Sequence, residues 1–431
     1  MARMATPGGD EVGRTVEAVW RMEAARIVGA LARMLRDVGL AEELAQDAVL
    51  QALESWPGGG IPDRPGAWLM QVAKHRALDL LRHAAMRAGK QDQLSWELDE
   101  GLRDSQPGPE RLAELAQEDL GDDVLRLMFV CCHPLLPPEG PAALALKLLG
   151  GLSTAEIARA FLVPEATVAQ RIVRAKRTLA AAAVPFEVPR GEQRRPRLAS
   201  VLQVIYLVFN EGYAASAGAD WLRPALCREA LRLGRVLAGL VPDEGEVHGL
   251  VALMEIQSSR ERARVGPDGA PVLLLDQDRS RWDRLLIGRG LAALARAAQL
   301  GAHGAYGLQA AIAACHARAL RPEATDWVRI AALYDALAAL QPSPVVELNR
   351  AVALAMAYGP AVGLELVDTL AAEPALRAYH LLPSVRGDLL AKLGRHAEVR
   401  QEFERAAALT RNERERTLLL ARSRAHAAKI P

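Results

Sequence analysis

Thr167, Gln170, Arg171, Arg174, Lys176 and Arg177 crowd into one short stretch of the chain, and side chains of these types do two kinds of chemistry with a polyanion. Arginine and glutamine carry planar groups that hydrogen-bond to base edges, while lysine and arginine neutralise phosphates. Between 164 and 179 there are four bases against one acid, Glu165, a local balance of +3. The whole chain carries a formal charge of only +1, but it is local charge that sets the field a phosphate feels. At helical spacing Val168, Ile172, Ala175 and Leu179 make an apolar stripe, and the polar set shares the opposite side.

The flanking residues supply the element that would hold this set. Ser153 followed three residues later by Glu156 is a capping box, so a helix starts there and runs to about Phe161. Leu162-Val163-Pro164 breaks it, because a proline disfavours helical geometry in the residue before it yet is welcome in a first turn. A second helix follows to about Leu179. Short helix, brief turn and basic second helix form the helix-turn-helix pattern, whose second helix enters the major groove. An ordinary helical hairpin with a solvated, arginine-rich face has the same pattern. Arg171 or Arg174 is placed either to bond two acceptors on a guanine or to touch phosphate alone.

Composition sets the wider frame. A length of 431 residues suggests about three domains and an ample core. The chain is 51% apolar but only 4% aromatic, with few long β-branched runs, which predicts an all-α fold. Cys131, Cys132, Cys227 and Cys315 show no metal or redox spacing, and the N-terminus lacks an apolar signal segment, so a cytoplasmic location is expected. The longest apolar run, Val201 to Phe209, is interrupted by Gln203 and too short to span a bilayer, so no membrane partner is expected. Cys131-Cys132-His133 invites a metal, but adjacent cysteines lack the gap that lets two thiolates share one tetrahedral ion, and buried packing is the expectation.

Charge alternates by element along the first ninety residues. Apolar residues at 16, 20, 27, 31, 35 and 38 mark a first helix. A second, from about Ala41 to Trp56, is acidic: the balance from 36 to 56 is −4. "PGGGIPDRP" (57 to 65) reads as a loop. A third helix then reverses the sign, with +4 between 63 and 90. Two separated basic surfaces suit two stretches of DNA and the acidic surface suits a basic protein partner, although each charged helix also reads as a solvated face.

"GLAEELAQDAVLQALESWP", "PGAWLMQVAKHRALDLLRH" and "GLSTAEIARAFLVPEATVAQRIVRAKRTL", in this order, resemble regions 2 and 4 of a bacterial sigma factor of the extracytoplasmic-function type. "FVCCHPLL", "NEGYAAS", "LLLDQDRSRWD" and "PSPVVELNRAVALA" extend the resemblance to the subgroup with a long tetratricopeptide-like C-terminal extension. The resemblance implies a region 2 helical bundle over 10–90, a linker over 91–118, a region 4 helix-turn-helix over 119–182, a helical extension domain over 186–300 and repeat hairpins over 301–427. It implies that Asp37, Glu42, Glu43, Gln46 and Asp47 dock on the clamp helices of the largest subunit of core RNA polymerase. The minus-ten promoter element would fall to Arg64, Trp68, Lys74, His75, Arg76 and Arg82, a task that needs an unstacked base and backbone cations. Trp68 equally suits closing the core. The minus-thirty-five element would be read by Thr167, Gln170, Arg171 and Arg174, with Lys176 and Arg177 on phosphates.

Beyond residue 182 the sequence predicts helices over Leu198 to Phe209, Leu222 to Leu240 and Glu246 to Ser259, and a turn, with a small hairpin, at "VGPDGAPVLLL". "DQDRSRWDR" sets Asp276, Asp278 and Asp283 beside Arg279, Arg281 and Arg284. No nucleophile, metal triad or phosphate-cradling loop accompanies these acids, so neither enzymatic activity nor a cofactor is expected. Gly359 and Gly394 stand thirty-five residues apart, each between two helical stretches, close to the tetratricopeptide period. Val399, Phe403 and Ala406 follow the small-and-bulky pattern of that repeat, while Arg411 stands where proline is usual. Such hairpins make a concave surface suited to a peptide or to the protein's own domains, so an intramolecular contact between extension and sigma regions is expected. The competing reading is a helix-turn-helix regulator with a ligand- or protein-binding repeat domain. It leaves the acidic-then-basic helices unexplained.

Overall fold

The computed structural model describes residues 9–87, 123–161, 163–214, 222–267, 269–301 and 303–427. Every named element in them is helical, as the composition requires. The chain divides into two compact units, Met1–Val204 and Ile205–Pro431.

The first unit opens with α1 (Gly9–Leu35), α2 (Val38–Gly59) and α3 (Pro65–Arg87), packed on one another. Val16, Ile27 and Leu31 of the expected stripe are buried, together with Ala41, Ala45, Ala48, Trp56, Leu69, Ala73 and Ala77. Val38 does not continue α1. Arg36 takes a left-handed φ of 53°, and Asp37 starts a new helix by accepting from the Gly39 and Leu40 amides at 2.7 and 3.0 Å. The expected loop over 57–65 is shorter than its glycines and prolines suggest. The buried Trp56 anchors the last turn of α2, so the helix continues through Pro57 to Gly59, and the Gly60 amide closes it onto the Trp56 carbonyl at 2.9 Å with φ +80°. Pro65 then opens α3, the position where a missing N–H costs nothing.

The expected linker over 91–118 lies outside the described residues. After it come α4 (123–131), α5 (Gly140–Leu148), α6 (Thr154–Phe161) and α7 (Glu165–Ala181). A helix α8 (Arg194–Tyr213) runs through the division at 204/205. Its first half belongs to the first unit, where Leu198 and Val201 are buried and Arg197 donates to the Phe129 carbonyl at 2.9 Å.

The second unit contains α9 (Pro224–Leu240), α10 (Gly245–Ser258), α11 (Arg284–Gln299), α12 (Ala305–Arg318), α13 (Trp327–Leu340), α14 (Pro344–Tyr358), α15 (Pro360–Leu370), α16 (Leu381–Lys392), α17 (His396–Leu409) and α18 (Glu413–Ala427). From α12 onward each helix packs on the next, the serial arrangement of stacked hairpins. Gly359 (φ +110°) and Gly394 (φ +75°) turn the chain between successive helices at the two positions the period marks. Val399, Phe403 and Ala406 are buried in the core they share with Leu348, Ala351 and Val367. No break accompanies residue 300: Ala310, Ala313, Ala314 and Ala317 of α12 share a core with Ala252, Leu253 and Ile256 of α10. At the expected hairpin the structure has one isolated bridge, Val265 to Pro271. The Gly266 amide, bonded to the Ala270 carbonyl at 2.9 Å, closes the turn, and a short 3-10 turn at Leu274–Asp276 follows before strands can extend.

Candidate nucleic-acid interface

The capping box forms as the sequence predicts. The Glu156 amide donates to Ser153 Oγ at 3.1 Å, and the Ser153 amide donates to Glu156 Oε2 at 2.8 Å. This fixes the start of α6 and hence the approach of α7. On α7 the whole stripe Val168, Ile172, Ala175 and Leu179 is buried, so the helix is held on one side along its length. On the other side Gln170, Arg174 and Arg177 are exposed, with Thr167 and Arg171 half-buried beside them. Thr167, Gln170, Arg171 and Arg174 line a recess of about 250 Å³ with Pro137, Glu139 and Gly140. Here side chains of the right type stand together at the surface.

Lys176 is the exception. It forms an ion pair with Glu42 of α2, a carboxylate only 4% exposed. Lys147 of α5 approaches the same carboxylate at 3.7 Å, and Gln46 donates to it at 2.6 Å. Burial of that charge is tolerable because two ammonium groups and an amide face it. The structure thus joins a residue expected on phosphate to one expected on a protein partner, and in this arrangement neither is available to either.

The other acidic candidates separate similarly. Asp37 is occupied as the cap of α2, and Asp47 pairs with Arg76 at 2.7 Å. Glu43 is exposed. Among the basic candidates on and before α3, Arg64, His75 and Arg82 are exposed, Arg82 lying 3.5 Å from Asp79, and Lys74 is half-buried. Arg76 is held by Asp47 and by Gln51 Oε1 at 3.3 Å. Trp68 packs edge-to-face on Trp56 with ring centres 5.4 Å apart, so one side of the ring closes the core while part of it stays open.

Three contacts absent from the sequence reading join α1 to the later helices of the first unit. Arg21 forms an ion pair with Glu156 of the capping box. Arg33 reaches Asp123 of α4 at 3.0 Å, and Arg126 reaches it at 2.7 Å. Asp123 is fully buried, and burial raises its pKa against the lowering pull of both guanidinium groups. Gly151, at φ +65°, brings the chain against Trp20, Arg21 and Ala24. Pairs separated by up to 135 residues leave no periodic trace in a sequence.

The remaining chemistry-bearing residues are structural. Cys131 and Cys132 are buried, with the Cys132 thiol pushed up to about 12 by burial, and His133 Nδ1 accepts from the Leu135 amide at 3.1 Å. Asp278 and Asp283 cap helical turns, Asp283 accepting from the Leu285 and Leu286 amides. Among the described residues no group of three or more His, Cys, Asp or Glu is placed to hold a metal ion. No described helix is long and apolar enough to cross a membrane.

Comparison with known proteins adds independent findings. Residues 19–87 match Sigma-70 region 2, residues 126–179 match Sigma-70, region 4, and residues 197–298 match a family of unknown function, DUF6596. An uncharacterized protein, R00370 of Rhizobium meliloti (strain 1021), is 47% identical over 390 residues, which cover 89% of each chain. The probable ECF RNA polymerase sigma factor SigI of Mycobacterium tuberculosis is 28% identical over 180 residues, spanning 42% of this chain and 59% of SigI. The ECF RNA polymerase sigma factor SigC of the same species is 29% identical over 174 residues, 40% of this chain and 82% of SigC. No solved structure gives a significant match.

Proposed function

This chain belongs to the sigma-70 family, extracytoplasmic-function type, with a DUF6596 extension, and from that premise we propose how its surfaces divide the work of transcription initiation. The acidic face of α2 (Asp37, Glu42, Glu43, Gln46, Asp47) docks on the clamp helices of core RNA polymerase. Arg64, Trp68, Lys74, His75, Arg76 and Arg82 hold the opened minus-ten element. The outer face of α7 reads the minus-thirty-five element through Thr167, Gln170, Arg171 and Arg174, with Lys176 and Arg177 on phosphates. The protein acts in the cytoplasm as a specificity subunit and carries no catalytic activity of its own. The observation that supports this most directly is the two-sidedness of α7, with its apolar stripe wholly buried and Gln170, Arg174 and Arg177 turned outward.

The Glu42–Lys176 pair gives the proposal a conformational step. In the described arrangement Glu42 is covered, so docking requires α7 to leave α2, and the same movement frees Lys176 for phosphate. The extension acts in cis on this step, as a built-in regulator or as an additional polymerase contact in place of a separate anti-sigma protein. Run-off transcription with purified core polymerase and genomic template tests the central claim: promoter-specific transcripts are expected only when this protein is added, and their absence from every template refutes it. Removing residues 205–431 tests the regulatory claim, since unchanged transcription and unchanged response would exclude a role for the extension.

A further inference from the structure

Burying a cation without a counter-charge costs several kcal/mol, so proteins pair such groups or use them. Arg260, immediately after α10, is 5% exposed. Among the described residues its guanidinium meets no carboxylate and no hydrogen-bond acceptor, and its Nε is unpartnered. Its neighbours are the rings of Tyr213 and Trp282, 5.8 and 5.7 Å from the guanidinium carbon. Its equally buried neighbour Arg279 shows the contrast: that side chain donates to the His316 and Ala319 carbonyls at 2.9 and 2.7 Å and to Thr325 Oγ1 at 3.1 Å.

Arg260 lines a cavity of about 240 Å³ enclosed by α8, α10, α12 and α13 within the second unit. No aspartate or glutamate lines it. Two more polar groups reach it without partners: Gln257 Oε1, and Nδ1 of His316, a residue only 7% exposed. The rest of the lining mixes apolar and aromatic side chains, Phe209, Leu253, Ile312 and the ring of Tyr334 among them, with Tyr206, Asn210 and Gln309. An unpaired positive charge, two idle polar groups and a set of apolar and aromatic side chains lining one cavity are the complement of an amphiphilic monoanion.

We propose that this cavity binds a small carboxylic acid in its ionised form, the carboxylate on Arg260 and its apolar body between Phe209 and Tyr334. The guanidinium supplies two parallel N–H donors, which a carboxylate accepts as a fork, and Gln257 donates through its amide nitrogen. His316 is consistent with the assignment: burial first, and then the charges of Arg260 and Arg279, push its pKa down to about 3, so it stays neutral and leaves Arg260 as the cation lining the cavity. The site lies outside the sigma regions, so the inference stands apart from promoter recognition.

Benzoate and hexanoate serve as probes, with benzamide as the neutral counterpart of benzoate and inorganic phosphate as an anion without an apolar body. The full chain is titrated by calorimetry and by thermal unfolding. Benzoate or hexanoate is expected to bind and to raise Tm progressively with concentration, with no shift from benzamide or phosphate. Arg260→Met is expected to abolish the shift while keeping the unliganded Tm at or above that of the parent, because it removes an uncompensated charge and breaks no hydrogen bond. Should that variant fail to fold, Arg260→Lys retains the charge without the fork and is expected to bind at least tenfold more weakly. Absence of binding by both acids, equal binding of benzamide, a shift from phosphate instead, or an undiminished shift in the Arg260 variants overturns the proposal.

Discussion

Single side chains at the α7 surface differ in what their loss should do. Arg174 is exposed over a buried stripe, so Arg174→Ala should leave Tm unchanged while weakening holoenzyme binding to promoter by about tenfold to a hundredfold, the usual 1–3 kcal/mol of a base contact. Affinity measured at one fixed salt concentration checks this, and equal affinity removes Arg174 from the groove. Glu42 behaves in the opposite way. Glu42→Gln leaves Lys147 and Lys176 facing a neutral amide and should destabilise the first unit by about 1–3 kcal/mol, read as a lower melting temperature. His316 carries a pH prediction. Its folded pKa, near 3, lies below the ordinary value of 6.5, so the unfolded chain binds the extra proton between those limits and stability falls as pH drops through them. Relative to His316→Gln, the parent should lose more stability between pH 7 and pH 4 in chemical denaturation. The types and helical phase of the α7 set were legible in the sequence. That Lys176 faces Glu42 was not, because a side chain at the edge of a stripe can turn to either flank and only the packed neighbour decides.

At the scale of elements, local rules carried most of the reading. The capping box, the proline break and the two glycines thirty-five residues apart each act within a few residues, and each appears where the sequence puts it. The failures are at boundaries where packing overrules propensity. Buried Trp56 carries α2 through a proline, and the shared core of α10 and α12 spans a division the repeat pattern suggested. The glycines make a graded prediction. Gly359, at φ +110° and ψ +151°, occupies backbone space essentially closed to other residues, whereas Gly394 at φ +75° sits nearer the left-handed region that they tolerate. Gly359→Ala should therefore lower stability by about 2–3 kcal/mol and Gly394→Ala by about 1 kcal/mol. Denaturant midpoints of the two variants check the order.

For the molecule as a whole, the near-zero net charge concealed an uneven layout, with an acidic α2 followed by the basic segments of α3 and α7. Composition made the all-helical class legible and the motif order revealed the sigma regions. The place where the units divide was hidden, because α8 is one uninterrupted helix whose sequence gives no sign at residue 204. The Glu42–Lys176 pair has a consequence for how the protein finds its work. Under the proposed function polymerase and promoter each compete for one half of a mutual embrace, so whichever arrives first would release the other half at no further expense. Thermodynamic reciprocity then makes the two ligands mutual helpers: promoter fragments should tighten the grip on core enzyme by the same factor by which core enzyme tightens the grip on promoter. Cutting the embrace with Glu42→Gln should shrink both factors together.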